Sequence, residues 1–317
     1  MTGTIPITTR RPHFRRYDPP PILITDDDIK MVRFVAEHRF RRSSDIAAYM
    51  VHRPPKKIIE RLGVLFHTAY LDRPRSQRDY FTAGKRTHYI YALGNRGAEL
   101  LAEFDGVAAP KVDWTDKNRD VGRPFIRHAL LIGDVASAFA RAATIHPDIH
   151  VIEPAEILAR APESTLRADN PWKWRAKVPA AGGLLQEIAN VPDRVFGLDF
   201  NQAHKRCYFF LEADRATMPI VRTNLQQTSL HRKFLSYWHG YRAKHHEQLY
   251  GISNFRVLVV TSGPKRSASM VEAVKQITGG AGSNLFLFTD APSLASSYDV
   301  LSLEWITGKG ERTILAC

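Results

Sequence analysis

VPDRVFGLDFNQAHKRCYFFLEADRAT, residues 191–217, decides how the larger part of this chain is read. Its apolar runs, 193–200 and 206–214, each have the length of a strand. The polar stretch Asn201–Lys205 between them makes the pair a hairpin. Acidic residues mark its open end: Asp193 begins the first strand, and Glu212 and Asp214 finish the second. Side chains at i and i+2 share one face of a strand. The pairing therefore predicts three carboxylates converging at one edge of a sheet. Like charges so close repel one another unless a cation neutralises them. A hard divalent ion, Mg²⁺ or Mn²⁺, suits such oxygen donors, with Asp193 and Glu212 as the expected ligands. Taken singly, each acid also has a structural reading. Asp193 follows Pro192 and can form a turn, while Glu212 and Asp214 can pair with Arg215, Arg222 or Arg232.

Downstream, SLHRKFLSYWHGYRAKHH predicts a helix over about 228–248. Lys233, Tyr237 and Tyr241 are spaced by four and so lie on one of its faces. A cation there, facing the carboxylates, can stabilise a phosphate in transfer. A long helix from Pro124, a strand at 149–152 and a strand at 255–261 surround the hairpin. A helix near 267–277 and strands at 284–288 and 300–305 follow, and the Pro-, Arg- and Trp-rich residues 161–182 read as a loop. Alternating helices and strands of this kind predict a mixed α/β domain over 124–317.

Working toward the N-terminus, residues 105–123 are polar and read as a linker. Before them come three helix signals. Thr25 can cap a helix whose first turn is Asp26-Asp27-Asp28, with Asp28 in the capping-box position. A second helix starts at Ser43-Ser44-Asp45, and a third at Pro54-Pro55, with proline suited to a first turn. In the third, Ile58, Leu62, Leu65 and Phe66 form an apolar stripe, while Lys56, Lys57 and Arg61 lie off it. Next come a strand at 70–73, a polar tip, a return strand at 87–93 and a helix that Asn95 can cap. Three helices followed by a basic-tipped hairpin predict a winged helix-turn-helix over 25–104. Lys56, Lys57 and Arg61 on its third helix, and Arg73, Arg75, Arg78, Lys85 and Arg86 on its wing, are the expected contacts to double-stranded DNA. A winged helix used only for protein contacts is the alternative. Residues 1–24, with five prolines and a basic cluster, read as a flexible arm.

The charge distribution agrees with that placement. The chain of 317 residues has a formal charge of +13. Residues 1–96 hold 19 Lys and Arg against 9 Asp and Glu, leaving 26 against 23 for all the rest. A cationic segment of this kind suits a polyanion, because neutralised phosphates release counterions. Two cysteines are too few for a disulfide scaffold and fit a reducing compartment, the cytoplasm. No apolar run approaches the roughly 20 residues a membrane helix needs. HExxH, Walker A, GxGxxG and GxSxG patterns are all missing from the sequence, which removes support for zinc-protease, ATP, NAD and serine-hydrolase readings.

The segments ERLGVLFHTAYLDRP, YIYALGNRGAELLAEF, VPDRVFGLDF, YFFLEADRATMPI and RKFLSYWHGYR together resemble the replication-relaxation proteins of bacterial plasmids and mobile elements. The resemblance runs from Thr25 to about Thr261. It is most specific at Pro192-Asp193, at Phe210–Thr217 and at the Lys233/Tyr237 pair. It implies an α+β chain: an N-terminal winged helix-turn-helix, then a domain similar to PD-(D/E)xK nucleases. It also implies a role in plasmid replication or mobilisation, beside replication or relaxase proteins. Asp193 then matches the PD aspartate and Glu212 the acid of (D/E)xK. Position 214, where that pattern has lysine, is aspartate, and Lys233 is the candidate to supply the missing charge. The resemblance leaves two readings open, a Mg²⁺-dependent nicking enzyme and a non-catalytic DNA-binding accessory protein.

Overall fold

The computed structural model describes residues 14, 16, 21–77, 88–109, 111–179, 184–216, 220 and 229–315. The chain is α+β and divides into two compact units, Met1–Gly133 and Asp134–Cys317.

The first unit opens with α1 (Asp26–His38), whose capping box forms as the sequence predicts. Thr25 N–H donates to Asp28 Oδ2 at 2.9 Å, and Asp28 N–H donates to Thr25 Oγ1 at 3.4 Å. There follow β1 (Arg41–Arg42), α2 (Ser43–Tyr49), α3 (Pro55–His67), β2 (Leu71–Asp72) and β3 (Ile90–Leu93). The three short strands form an antiparallel sheet in the order β1-β3-β2. The apolar stripe of α3 is buried where its periodicity puts it: Ile58, Leu62, Leu65 and Phe66 pack with Met31, Val32 and Val35 of α1 and Ile46 of α2. Gln77, buried in the turn after β2, extends the sheet with a side chain. Its Nε2 donates to Ile90 O at 2.8 Å, and Ile90 N–H donates to its Oε1 at 2.7 Å.

The expected linker is in part ordered structure of this unit. After α4 (Asn95–Phe104), the helix α5 (Trp114–Arg119) buries Asn118 completely, and Asn118 Nδ2 donates to Leu93 O at 2.8 Å. Asn95 does not cap its own helix. Its Oδ1 instead accepts from Trp114 N–H at 2.7 Å, at the start of α5, whose N-cap Asp113 takes the Asp116 N–H at 2.9 Å. The division between units falls inside α6 (Arg123–Ile145), whose Ile126, Ala129 and Leu130 pack on Phe40, Ile90 and Ala92. The proposed arm lies mostly outside the described residues.

The second unit is built on a seven-stranded sheet. Its strands are β4 (Ile149–Ile152), β7 (Arg194–Phe200), β8 (Lys205–Ala213), β9 (Arg256–Thr261), β10 (Phe286–Asp290), β11 (Trp305–Thr307) and β12 (Arg312–Thr313). They lie in the order β12-β11-β10-β9-β8-β7-β4. The β7–β8 hairpin has the expected turn, with Phe200 opposite Lys205 and Arg194 opposite Leu211. Strands β8, β9 and β10 run parallel to one another. Two short helices, α7 (Pro154–Leu158) and α8 (Glu163–Leu166), follow β4.

The residues read as a loop before the hairpin contain two further strands, β5 (Trp174–Pro179) and β6 (Leu185–Asn190), paired antiparallel. The predicted helix over 228–248 is two helices, α9 (Leu230–Arg242) and α10 (His245–Tyr250), broken at Lys244 with φ 57°. On one face of the large sheet, Phe210, Val257, Val259 and Phe288 pack with Phe234 and Tyr237 of α9, Trp174 of β5, and Met270 and Val274 of α11 (Pro264–Ile277). On the other, Phe139 of α6 meets Phe196 and Phe209 at ring-centroid distances of 4.6 and 6.0 Å. Burying large aromatics on both faces suits a sheet with helices on either side. After β10, α12 (Ala291–Ser296) precedes β11. Among the described residues, no helix is long and apolar enough to cross a membrane.

Candidate functional site

Strand pairing sets the site. Because β7 and β8 run antiparallel with Arg194 opposite Leu211, Asp193 sits just outside β7 next to the end of β8. There Asp193 N–H donates to Leu211 O at 2.9 Å, and Asp193 Oδ2 accepts from Ala213 N–H at 2.7 Å. Glu212, on the same strand face as Phe210, points into the side of the sheet covered by α9 and is 2% exposed. From α9, Lys233 and Tyr237, one turn apart, both reach it. Lys233 Nζ donates to Glu212 Oε2, and Tyr237 Oη donates to Glu212 Oε1 at 2.6 Å. Ser229 fixes the start of α9 by accepting from Arg232 N–H at 3.2 Å.

Burial sets the electrostatics. Loss of solvent pushes the Glu212 carboxyl up from 4.5 to about 7, against the pull of Lys233 and with a further push from Asp193. Burial alone would lower the Lys233 ammonium, but the Glu212 and Asp193 carboxylates outweigh it and hold Lys233 above its ordinary value. Tyr237, buried against Glu212, is pushed well above the usual phenol range. The result is a compact set of one acid, one cation and one phenol, with Asp193 close enough to act on all three.

Asp214 does not join it. Strand β8 ends at Ala213, so the i, i+2 alternation that would set Asp214 beside Glu212 stops one residue short. Asp214 instead receives Thr261 Oγ1 at 2.8 Å and Arg266 through Nε and, at 2.9 Å, Nη2. Thr261 closes β9 and Arg266 lies in the first turn of α11, a pair that sequence reasoning missed because nothing local marks it. Tyr241, third in the spacing of four, also points elsewhere: it bonds Asn254 at 3.2 Å and stacks on His246.

This arrangement does not fit a divalent ion. Both Glu212 oxygens are engaged by donors, Asp193 Oδ2 takes a backbone N–H, and Asp214 is neutralised by Arg266. Among the described residues, no group of three acidic, His or Cys side chains is placed to hold a metal. As placed, these residues make a closed ion pair rather than a magnesium site.

In the first unit the expected DNA contacts separate into three groups. Lys56 and Lys57 are exposed at the start of α3, with Glu60 3.3 Å from Lys57, and Arg75 is exposed after β2. Arg61 is a fold residue. It donates Nε to Asp28 Oδ1 at 2.8 Å and Nη2 to Asp28 Oδ2 at 2.6 Å, and Asp28 is fully buried. Arg73 is 7% exposed, with its guanidinium 4.4, 4.2 and 5.0 Å from the ring centres of Phe66, Tyr89 and Tyr91, and it donates to Tyr91 Oη at 2.6 Å. A guanidinium caged by three aromatic faces is a packing element, not a phosphate contact. Arg78, Lys85 and Arg86 lie outside the described residues.

No curated protein and no solved structure matches the sequence. A sequence model of the replication-relaxation family does, over residues 32–254, a span that runs from α1 through the Asp193, Glu212, Lys233 and Tyr237 cluster to just before β9. With most of the chain matched and the most specific segments inside the match, the chain belongs to the replication-relaxation family.

Proposed function

We propose that the protein binds double-stranded DNA in plasmid or mobile-element replication, and that its second unit keeps a nuclease-like framework without cleaving. One observation carries the reading of the second unit. Glu212 is closed off by Lys233 and Tyr237, while the acid at position 214 is tied to Arg266. Two antiparallel strands leading into a parallel β8–β9 pair, with helices on both faces, support the PD-(D/E)xK likeness. The first unit is read as a winged helix from its element order and the β1-β3-β2 sheet, with α3 as the helix that enters the major groove. Lys56 and Lys57 then meet phosphates, and replication or relaxase proteins are the partners at the site.

The test has two arms. In fluorescence anisotropy on a labelled duplex, the full chain should bind with a steep salt dependence. Replacing Lys56 and Lys57 by Ala should reduce the log–log slope by about 2, near 0.9 per phosphate contact. An unchanged slope removes α3 as the DNA-contacting helix. In the second arm, supercoiled plasmid with protein and Mg²⁺ or Mn²⁺ should stay supercoiled. Nicked product that Glu212→Gln abolishes would overturn the non-cleaving reading. It would favour instead the second one, a nicking enzyme in which Lys233 does the work of the missing lysine. What supports that alternative is the position of Lys233 on Glu212, the contact the (D/E)xK pattern would otherwise obtain from position 214.

A further inference from the structure

The chain beyond the family match builds a second feature of its own. Strand β9, helix α11 and strand β10 form a parallel βαβ unit in which Asp290 is registered beside Thr261, so both strands end together at the carboxyl edge of the sheet. Just outside that edge lies a groove of about 470 Å³, lined among others by Pro264, Ser267, Asp290, Leu303, Ile306 and Arg312. Crevices outside the carboxyl ends of parallel strands are where open α/β sheets take ligands, and this volume is in the range of small-molecule sites.

Four observations give the ligand its chemistry. The fourteen-residue helix α11 begins in the groove without any side-chain cap, and a Cβ placed on its N-cap residue Gly263 would meet nothing within 4 Å. Pro264 has no N–H, and the Arg266 and Ser267 N–H groups turn back to Gly263 O at 3.1 and 3.2 Å, so the Lys265 N–H and the helix dipole are what the open space at Gly263 offers an anion. Ser267, one turn in, is 1% exposed, yet its Oγ has no hydrogen-bond partner among the described residues. A buried hydroxyl left unpaired is costly and points to a missing acceptor. Asp290 gives Oδ1 to Ser293 N–H at 2.9 Å, and no described residue engages Oδ2. A carboxylate oxygen at the end of the second strand calls for hydroxyl donors rather than a second anion. Leu303 and Ile306 add a part-buried apolar wall.

We propose that this groove binds a nucleoside monophosphate, with its phosphate at the first turn of α11 against Ser267, its ribose hydroxyls on Asp290 and its base along Leu303 and Ile306. A bare oxyanion would leave the apolar wall and Asp290 unused. This reading is independent of whether Glu212 serves catalysis.

Isothermal titration of the full-length protein with AMP, adenosine and inorganic phosphate tests it. AMP should bind, with adenosine and phosphate each at least about tenfold weaker, the loss expected when a charge-assisted hydrogen bond is removed. Ser267→Ala and Asp290→Asn should each weaken AMP about tenfold. Neither should lower the ligand-free melting temperature, since Ser267 Oγ has no bond to lose and Asn remains a good N-cap for α12. No heat with AMP at about 1 mM, a level that detects even weak sites, would overturn the proposal. So would phosphate binding as well as AMP, or both variants binding AMP as tightly as the wild type. Displacement of AMP by a 5′-phosphorylated oligonucleotide that binds far more tightly would also overturn it, because the phosphate would then come from nucleic acid.

Discussion

Replacing Glu212 by Gln isolates the cost of burying that carboxylate. The side chain is 2% exposed, so little solvent screening dilutes the effect. Its folded value of about 7 lies above the ordinary 4.5, chiefly because burial disfavours the ion. The folded state therefore holds the proton more tightly than the unfolded chain does. The stabilisation is complete below pH 4.5 and is lost as pH rises through 7. At 1.36 kcal/mol per pKa unit the loss amounts to about 3 kcal/mol. The amide of Glu212→Gln does not titrate; its one oxygen can accept from Lys233, while its NH2 can donate to the Tyr237 hydroxyl. Urea unfolding at several pH values between 4.5 and 8.5 reads the difference, with tryptophan fluorescence reporting through Trp174, whose ring lies 6.0 Å from Tyr237. The Gln variant should gain about 3 kcal/mol on the wild type across that window. Parallel pH profiles, within about 0.5 kcal/mol, would refute the assignment of burial as the dominant cause. A wild type that gains on the variant as pH rises would refute it more sharply, since the Lys233 attraction would then outweigh desolvation.

Arg61→Ala should cost about 2–3 kcal/mol, seen as a drop in melting temperature, because it strands the buried Asp28 carboxylate without its bidentate partner. Arg61→Lys, with one donor head in place of two, should recover only part of the loss; an unchanged melting temperature for Arg61→Ala would show that the capping box alone sustains Asp28. Gly240→Ala should lower stability by about 3 kcal/mol or stop the second unit from folding, since a Cβ there would come within 2.3 Å of the Trp174 ring, fully buried between α9 and β5. A wild-type melting profile for that variant would mean that α9 and β5 can move apart freely.

What was legible in the sequence was local. The capping box at Thr25/Asp28, the apolar stripe of α3, the β7–β8 hairpin and the spacing of Lys233 and Tyr237 all depend on residues within a few positions of one another. What was not legible depended on distant neighbours. Arg61 and Arg73 read as surface cations, since nothing nearby reveals that Asp28 lies 33 residues away in sequence or that three aromatic rings will close around Arg73. Strand β5 is a different case. Its alternation is plain, with Trp174, Ala176 and Val178 buried and Arg175 and Lys177 exposed, but flanking prolines and arginines disguised it as a loop. Strand β1, two residues long, carries no period at all.

Asp214 lies one residue past the end of β8. Alternation holds only while the backbone remains a strand, and β8 stops at Ala213, where Asp193 takes the N–H. Asp214 N–H then bonds Val260 O at 2.8 Å, so the chain still follows β9 while its side chain turns toward Thr261 and Arg266. Two charges have in effect been exchanged. The acid at 214 takes its cation from the first turn of α11, and the acid at 212 takes its own from α9. Each carboxylate is neutralised by a helix that packs on the same face of the sheet, so neither needs a metal ion to be buried. The single change Asp214→Lys is therefore not expected to rebuild a nuclease site. The new ammonium would confront Arg266 across a buried gap while Lys233 still held Glu212.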